Sequence, residues 1–191
     1  MANLASGVWG VVATPFVGNE IDHDSFARLV THYESIGAAG LTVLGVFGEA
    51  ASLDRQERRD VLATVVSTVD IPLVVGVTSL ATMPAIDEVT DIQSVVGERL
   101  AGAMVQLNTP DPVMLNRHLN AIHAATGAGI VAQNYPVSSR VSIGPAAEIE
   151  ALRDVPGLVA VRRRPRQRRA GSRRSSHIST SRCSVASVAS R

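Results

Sequence analysis

The sequence predicts an α/β protein, an incomplete (β/α)8 barrel of about six strands and five helices. Three observations carry this. Short β-branched runs alternate with stretches of helical period on a beat of about 30 residues. The G-x-G-x-x-G fingerprint of a dinucleotide-binding fold is missing after the first strand. The alternation stops near residue 161, where a closed barrel of about 250 residues would continue. An open doubly wound sheet satisfies the alternation too; the uniform beat and the missing fingerprint favour the barrel.

Gly10-Val-Val-Ala-Thr-Pro-Phe16 reads as a strand running into a loop. Asp22 or Asp24 caps a helix whose Phe26, Leu29, Val30 and Tyr33 recur at i, i+3, i+4 and i+7, one buried face. Gly37 and Gly40 end it, and Leu41 to Leu44 form the second strand. Asp54-Arg-Gln-Glu57 has the capping-box pattern and opens a helix with Val61, Leu62, Val65, Val66 and Val69 on one side. Pro72 to Val75 form the third strand, ending at Gly76. Thr82 starts a helix carrying Ile86, Val89, Ile92 and Val96, with Pro84 tolerated in its first turn. Gly102 to Gln106 form the fourth strand. Asp111 and Pro112 open a helix that turns Leu115, Leu119 and Ile122 inward. Ile130 to Gln133 form the fifth strand, Gly144-Pro145 opens a short helix, and Leu158 to Val161 form the sixth strand.

The charge divides the 191 residues in two. Residues 1–161 hold all 17 acidic residues and 8 arginines, a net of −9, whereas residues 162–191 hold 10 arginines and no acid. All 18 basic residues are arginine, so the chain contains no lysine. The sequence therefore predicts a barrel domain over 1–161 and an Arg/Ser-rich disordered tail over 162–191. An arginine-rich arm of this kind implies non-specific nucleic-acid binding through phosphates, or no partner at all. A reading-frame shift in a GC-rich gene would account for the abrupt change of text, the missing final strands and the missing lysine together.

No apolar run approaches the roughly 20 residues of a membrane-spanning helix, and Met1 to Trp9 lack the pattern of a secretory signal. Cys183 is the single cysteine and no metal-ligand spacing is present, so no disulfide, metal or cofactor is expected and the default location is cytoplasmic.

In a parallel α/β fold, functional groups lie at the C-terminal ends of the strands. The notable ends here are Thr14-Pro15-Phe16, Gly45-Val46-Phe47-Gly48-Glu49, Gly76-Val77 and Gln133-Asn134-Tyr135-Pro136. In order and spacing, with the helix-opening Leu53 to Glu57, they resemble the dihydrodipicolinate synthase / N-acetylneuraminate lyase family of class I aldolase barrels, over about Gly7 to Val161. The resemblance implies a cytoplasmic homo-oligomeric lyase acting on pyruvate or another 2-oxo acid, held as a Schiff base on a lysine at the end of the sixth strand.

Residue by residue, the resemblance puts Arg162 at the lysine position and Gln133 at the position of a proton-relaying tyrosine. A guanidinium is effectively always charged and cannot form the Schiff base, so the family route is expected to be blocked. The glycine-rich motif that holds the substrate carboxylate in the family has hydroxyls where this chain has Val46 and Phe47, which leaves only main-chain donors between Gly45 and Gly48. The tyrosine pair expected after the fourth strand is absent from Gln106 to Pro110. The substrate-binding candidates are Thr14, Gly45, Val46, Phe47, Gly48, Glu49, Asn134 and Tyr135. Thr14 is expected to order the first loop and Glu49 to bind backbone N–H groups of the loop that follows it. Asn134 and Tyr135 either line a pocket or pack. Arg140 follows the N-x-P loop, about two residues from the family arginine. His32, His118 and His123 are expected at the surface or an interface, and Trp9 and Phe16 in core or barrel-bottom packing.

Overall fold

The structure is a computed structural model that describes residues 4–163 and the pair Val185–Ala186. The chain enters on β1 (Trp9–Val11), makes a small antiparallel hairpin of β2 (Phe16–Val17) and β3 (Glu20–Ile21), and continues through α1 (His23–Ser35). Then follow β4 (Gly40–Val43), α2 (Arg55–Thr68), β5 (Leu73–Gly76), α3 (Thr82–Val96), β6 (Leu100–Gln106), α4 (Pro112–Thr126) and β7 (Ile130–Asn134). The one-turn α5 (Pro136–Ser139), α6 (Pro145–Leu152), β8 (Leu158–Arg163) and β9 (Val185–Ala186) complete the strands and α-helices among the described residues.

β1, β4, β5, β6, β7 and β8 pair in parallel in that order, which is their order along the chain. The helices also touch in chain order: α1 on α2, α2 on α3, α3 on α4, α4 on α6. A doubly wound sheet reverses its strand order at a switch point and carries helices on both faces. The monotone order here is instead six strands of an incomplete (β/α)8 barrel. Among the described residues β1 pairs only with β4, and β9 runs antiparallel along β8 opposite Val161 and Arg162.

The main core lies between helices and sheet, where Phe26 and Val30 of α1, Val61, Leu62 and Val65 of α2, Val89 and Ile92 of α3, and Leu115, Leu119 and Ile122 of α4 are buried. Each such side chain contributes about 1.5–3 kcal/mol by leaving water. β4 and β5 are buried along their whole length, as strands covered on both faces must be. A smaller cluster on the concave face joins Val74, Met104, Val131, Val159 and Ala160 to Leu4 and Trp9. Gly40 is required there, because a Cβ would sit 2.4 Å from the Trp9 ring.

The caps decide what the sequence left open. Asp22, not Asp24, caps α1 by accepting from the Ser25 N–H at 2.9 Å. The capping box of α2 is complete, with the Glu57 N–H donating to Asp54 at 2.8 Å and the Asp54 N–H to Glu57 at 2.7 Å. Asp111 accepts from Val113 and Met114 ahead of Pro112. Thr82 does not cap α3; its hydroxyl pairs with His118 Nδ1 across to α4 at 2.9 Å.

Three expectations need correction. Phe16 is not core packing: the β2–β3 hairpin that alternation did not reveal carries it outward, 38% exposed. His118 is not at the surface but buried between α3 and α4 at 3% exposure, because it falls on the same helical face as Leu115 and Leu119. The sixth strand runs through Arg163, two residues beyond the change of composition. The rest of the expected disordered tail lies outside the described residues, save the backbone pairing of Val185–Ala186.

Candidate active site

The sheet register places three polar side chains side by side at the C-terminal edge. Gln106 of β6 is opposite Gln133 of β7, and Gln133 is opposite Arg162 of β8. Residues in register share a face and alternate along each strand. Two positions earlier the same row therefore reads Met104, Val131, Ala160, all buried on the concave face. Two carboxamides and a guanidinium thus cap an apolar floor. Gln133 is 3% exposed, and Gln106 Oε1 is buried with no hydrogen-bond partner among the described residues. Arg162 Nη1 lies 3.5 Å from Met104 Sδ.

Above this row is a cavity of about 300 Å³. Gly45, Val46 and Glu49 line it from the β4 exit, Thr78 from the β5 exit, and Met104, Gln106 and Gln133 from the floor. The β4 exit is built by backbone. Leu44 and Glu49 hold left-handed conformations at φ 54° and 55°, bracketing a single 3-10 turn over Val46–Gly48. Such non-glycine conformations cost about 1–3 kcal/mol each and persist where neighbours impose them. Gly76 makes the fold of this segment possible, since a Cβ there would stand 2.0 Å from the Leu44 carbonyl oxygen. The Gly48 N–H donates to Gly45 O at 3.0 Å, the Glu49 N–H to Val46 O at 3.3 Å, and Thr14 Oγ1 donates to Gly48 O at 2.8 Å. Thr14 thus ties the loop after β1 to the β4 exit, reaching beyond the first loop that it was expected to order. The Gly48 and Glu49 N–H groups close the motif's own turn.

Two further candidates depart from expectation. Phe47 is 57% exposed and outside the cavity lining. Glu49 is exposed, and its carboxylate makes no hydrogen bond to another described residue; in the loop that follows, the Ser52 and Leu53 N–H groups go to the Glu49 and Ala50 carbonyls and that of Asp54 to Glu57.

The period of two separates the remaining candidates. Gln133 and Arg162 turn to the concave face, where Gln133 lines the cavity and Arg162 stands beside it against Met104, outside the lining, whereas Asn134 and Arg163, paired one position later, turn to the helix side. There Asn134 Nδ2 donates to Glu148 Oε2 at 2.8 Å, Arg163 Nε donates to the same oxygen at 3.0 Å, and Arg163 Nη2 also bonds it. Glu148 of α6 is 2% exposed, and its carboxylate holds the Arg163 guanidinium above its ordinary pKa. Asn134 therefore positions the β7 end and does not line the cavity. Tyr135 is half-buried at the start of α5, and Arg140 is exposed at its end with φ 58°.

Sequence reasoning missed Glu148, Met104 and Thr78 altogether and passed over Gln106 as a missing tyrosine. Alternation along β6 would have found Met104 and Gln106, which share a face with Gln133 once the register is known. Nothing in the sequence pairs Glu148 with a residue 15 positions later. Among the described residues no cluster of His, Cys, Asp or Glu could hold a metal ion, and no helix is long and apolar enough to cross a membrane.

A profile of the dihydrodipicolinate synthetase family matches residues 4–179, most of the chain and past the change of composition. The chain belongs to this family. Its relatives include the 4-hydroxy-tetrahydrodipicolinate synthase of Kosmotoga olearia, 30% identical over 73% of this chain and 48% of that one. The same enzyme of Ruegeria pomeroyi is 30% identical over 83% and 55%. Among solved structures, dihydrodipicolinate synthase of Thermotoga maritima superposes with a TM-score of 0.75 at 28% identity, covering 83% of this chain and 55% of that one. A monomeric dihydrodipicolinate synthase variant superposes with a TM-score of 0.73 at 29% identity, over 81% and 52%. The chain spans about half the length of the relatives it matches. The family likeness thus agrees with a six-stranded arc rather than a closed barrel.

Proposed function

We propose that this chain presents the 2-oxo-acid pocket of a lyase of the dihydrodipicolinate synthetase family, with the Schiff-base route closed. On this reading the natural ligand class is pyruvate or another small 2-oxo acid, and the setting is the cytoplasmic homo-oligomer implied by the family. The observation that carries it is the row Gln106, Gln133, Arg162 at the mouth of the parallel strands. Gln133 and Arg162 stand at the two positions where the resemblance puts the tyrosine and the lysine.

The chemistry follows from the groups present. Schiff-base formation requires a neutral amine to attack the ketone carbon, proton transfer to the carbinolamine oxygen and loss of water. A guanidinium offers no neutral amine for this attack, and the Gln133 carboxamide neither takes nor gives a proton. What remains is binding: an apolar floor at Met104, hydrogen-bonding carboxamides and a cation at one end.

Borohydride trapping tests the placement. Pyruvate with the native chain should leave no reduced adduct except at the N-terminal amine, while Arg162→Lys should gain one pyruvate-sized adduct at residue 162, read by peptide mass spectrometry. A stable internal adduct on the native chain, or none on a folded Arg162→Lys variant, overturns this reading.

A further inference from the structure

The row that blocks covalent chemistry has a ligand preference of its own. Arg162 is half-buried, and no carboxylate pairs with it among the described residues; there its guanidinium hydrogen-bonds the thioether of Met104. A guanidinium held at an apolar floor without a counter-ion is a receptor for an anion, most directly a carboxylate, which it grips with two parallel N–H bonds. Next to it come two neutral carboxamides. Each offers both an N–H donor and a carbonyl acceptor, and Gln106 Oε1 is a buried acceptor without a partner among the described residues. A buried carboxamide with an unanswered acceptor carries a desolvation penalty until a donor arrives.

A 2-oxo acid brings only acceptors to that row. A 2-hydroxy acid brings a hydroxyl that donates to one carboxamide oxygen while accepting from the neighbouring N–H. This holds whichever way the Gln106 amide is turned, because the amide as a whole asks for one donor and one acceptor. The third feature is Glu49, an exposed residue of the cavity lining at the β4 exit with no hydrogen bond from its carboxylate to another described residue. Its charge opposes a second carboxylate on the ligand. The cavity volume of about 300 Å³ is at the small end of ligand sites, suited to acids of a few carbons.

We infer that the Gln106–Gln133–Arg162 row forms a reversible binding site for a small 2-hydroxy monocarboxylate, with Arg162 on the carboxylate and the two carboxamides on the 2-hydroxyl. This deepens the proposed pocket and rests on its placement, but it names a different ligand class and needs no covalent step.

The probes are lactate, pyruvate, propionate and malate, titrated into the native full-length chain and followed by calorimetry and ligand-observed NMR. Lactate should bind about five- to tenfold tighter than pyruvate or propionate, the scale of one well-made hydrogen bond, and tighter than malate. Arg162→Gln should weaken lactate at least tenfold. Gln106→Leu, similar in volume and without polar atoms, should level lactate with propionate and leave the melting transition in place. Equal binding of lactate and propionate to the native chain, or lactate affinity unchanged in Arg162→Gln, overturns the inference. The trapping experiment on Arg162→Lys reads the pocket independently. An adduct there with no lactate preference in the native chain rejects this inference alone; lactate binding without an adduct rejects the 2-oxo-acid placement alone.

Discussion

The β4 exit and the β7–β8 exit border one cavity, yet they are held in shape by opposite means. At β4 the work is done by backbone: two left-handed residues, a single 3-10 turn closed by its own N–H groups, and a glycine on β5 that lets Leu44 pass. At β7–β8 it is done by side chains, with Asn134 and Arg163 gathered on the buried Glu148. The comparison explains why a family motif can lose its hydroxyls at Val46 and Phe47 and keep its turn. Nothing in that turn depends on those two side chains. A side-chain clamp has less tolerance, since both partners meet on the buried Glu148 carboxylate and removing either leaves it short of hydrogen bonds.

The largest effect is expected where the backbone exit is forced open. Gly76→Ala adds a Cβ 2.0 Å from the Leu44 carbonyl, a backbone atom that cannot swing aside. The cost should be about 3 kcal/mol or more, in the range of severe overpacking. A urea midpoint close to that of the native chain would show that the β4 exit is softer than its geometry implies.

The side-chain exit should yield less. Arg163→Ala removes the cation from Glu148 and leaves a buried carboxylate with Asn134 alone. Breaking a fully buried pair costs about 3–5 kcal/mol; because Arg163 is 52% exposed, the expected loss is about 1–2 kcal/mol. The double variant Arg163→Met with Glu148→Leu should recover most of it, since no charge is then left buried. An unrecovered loss would mean that packing, not charge, joins α6 to β8.

The fold was largely legible because its information is local. The helix starts at Asp54 and Asp111 follow from capping chemistry, and the strands follow from β-branched runs between glycines. The β2–β3 hairpin was not legible: two-residue strands around Gly18 carry no periodic signal. The site was legible in part. Position in a motif located Gln133 and Arg162, but only register shows that Gln106 joins them and that Asn134 and Arg163 turn away. Glu148 was silent because its partners come from two different strands, and the role of Gly48 was hidden because hydrogen bonds inside a turn leave no mark in composition.

The smallest effect concerns the helix layer outside both exits, and it asks whether the exits are independent of that layer. Burial pushes the His118 imidazole below its ordinary pKa of 6.5, its Nδ1 paired with Thr82 and its Nε2 without a partner among the described residues. The folded state thus prefers the neutral ring, whereas the unfolded chain takes up a proton near 6.5. Above that pH neither state is protonated and the full stability is present. As pH falls below 6.5, the unfolded state gains the proton first and stability declines, levelling off once pH passes the lowered folded value. His118→Asn should flatten this part of the stability–pH curve at the expense of a lower plateau, because a smaller side chain then fills the gap between α3 and α4. Measured by urea midpoints from pH 7.5 downward, an equally steep decline in the variant would assign the acid sensitivity to other groups. Trapping and lactate titration repeated across that interval should stay unchanged on the folded fraction. If they shift with His118, then the α3–α4 contact reaches the cavity through the β5 and β6 exits, and the two rims are not the separate structures that their construction indicates.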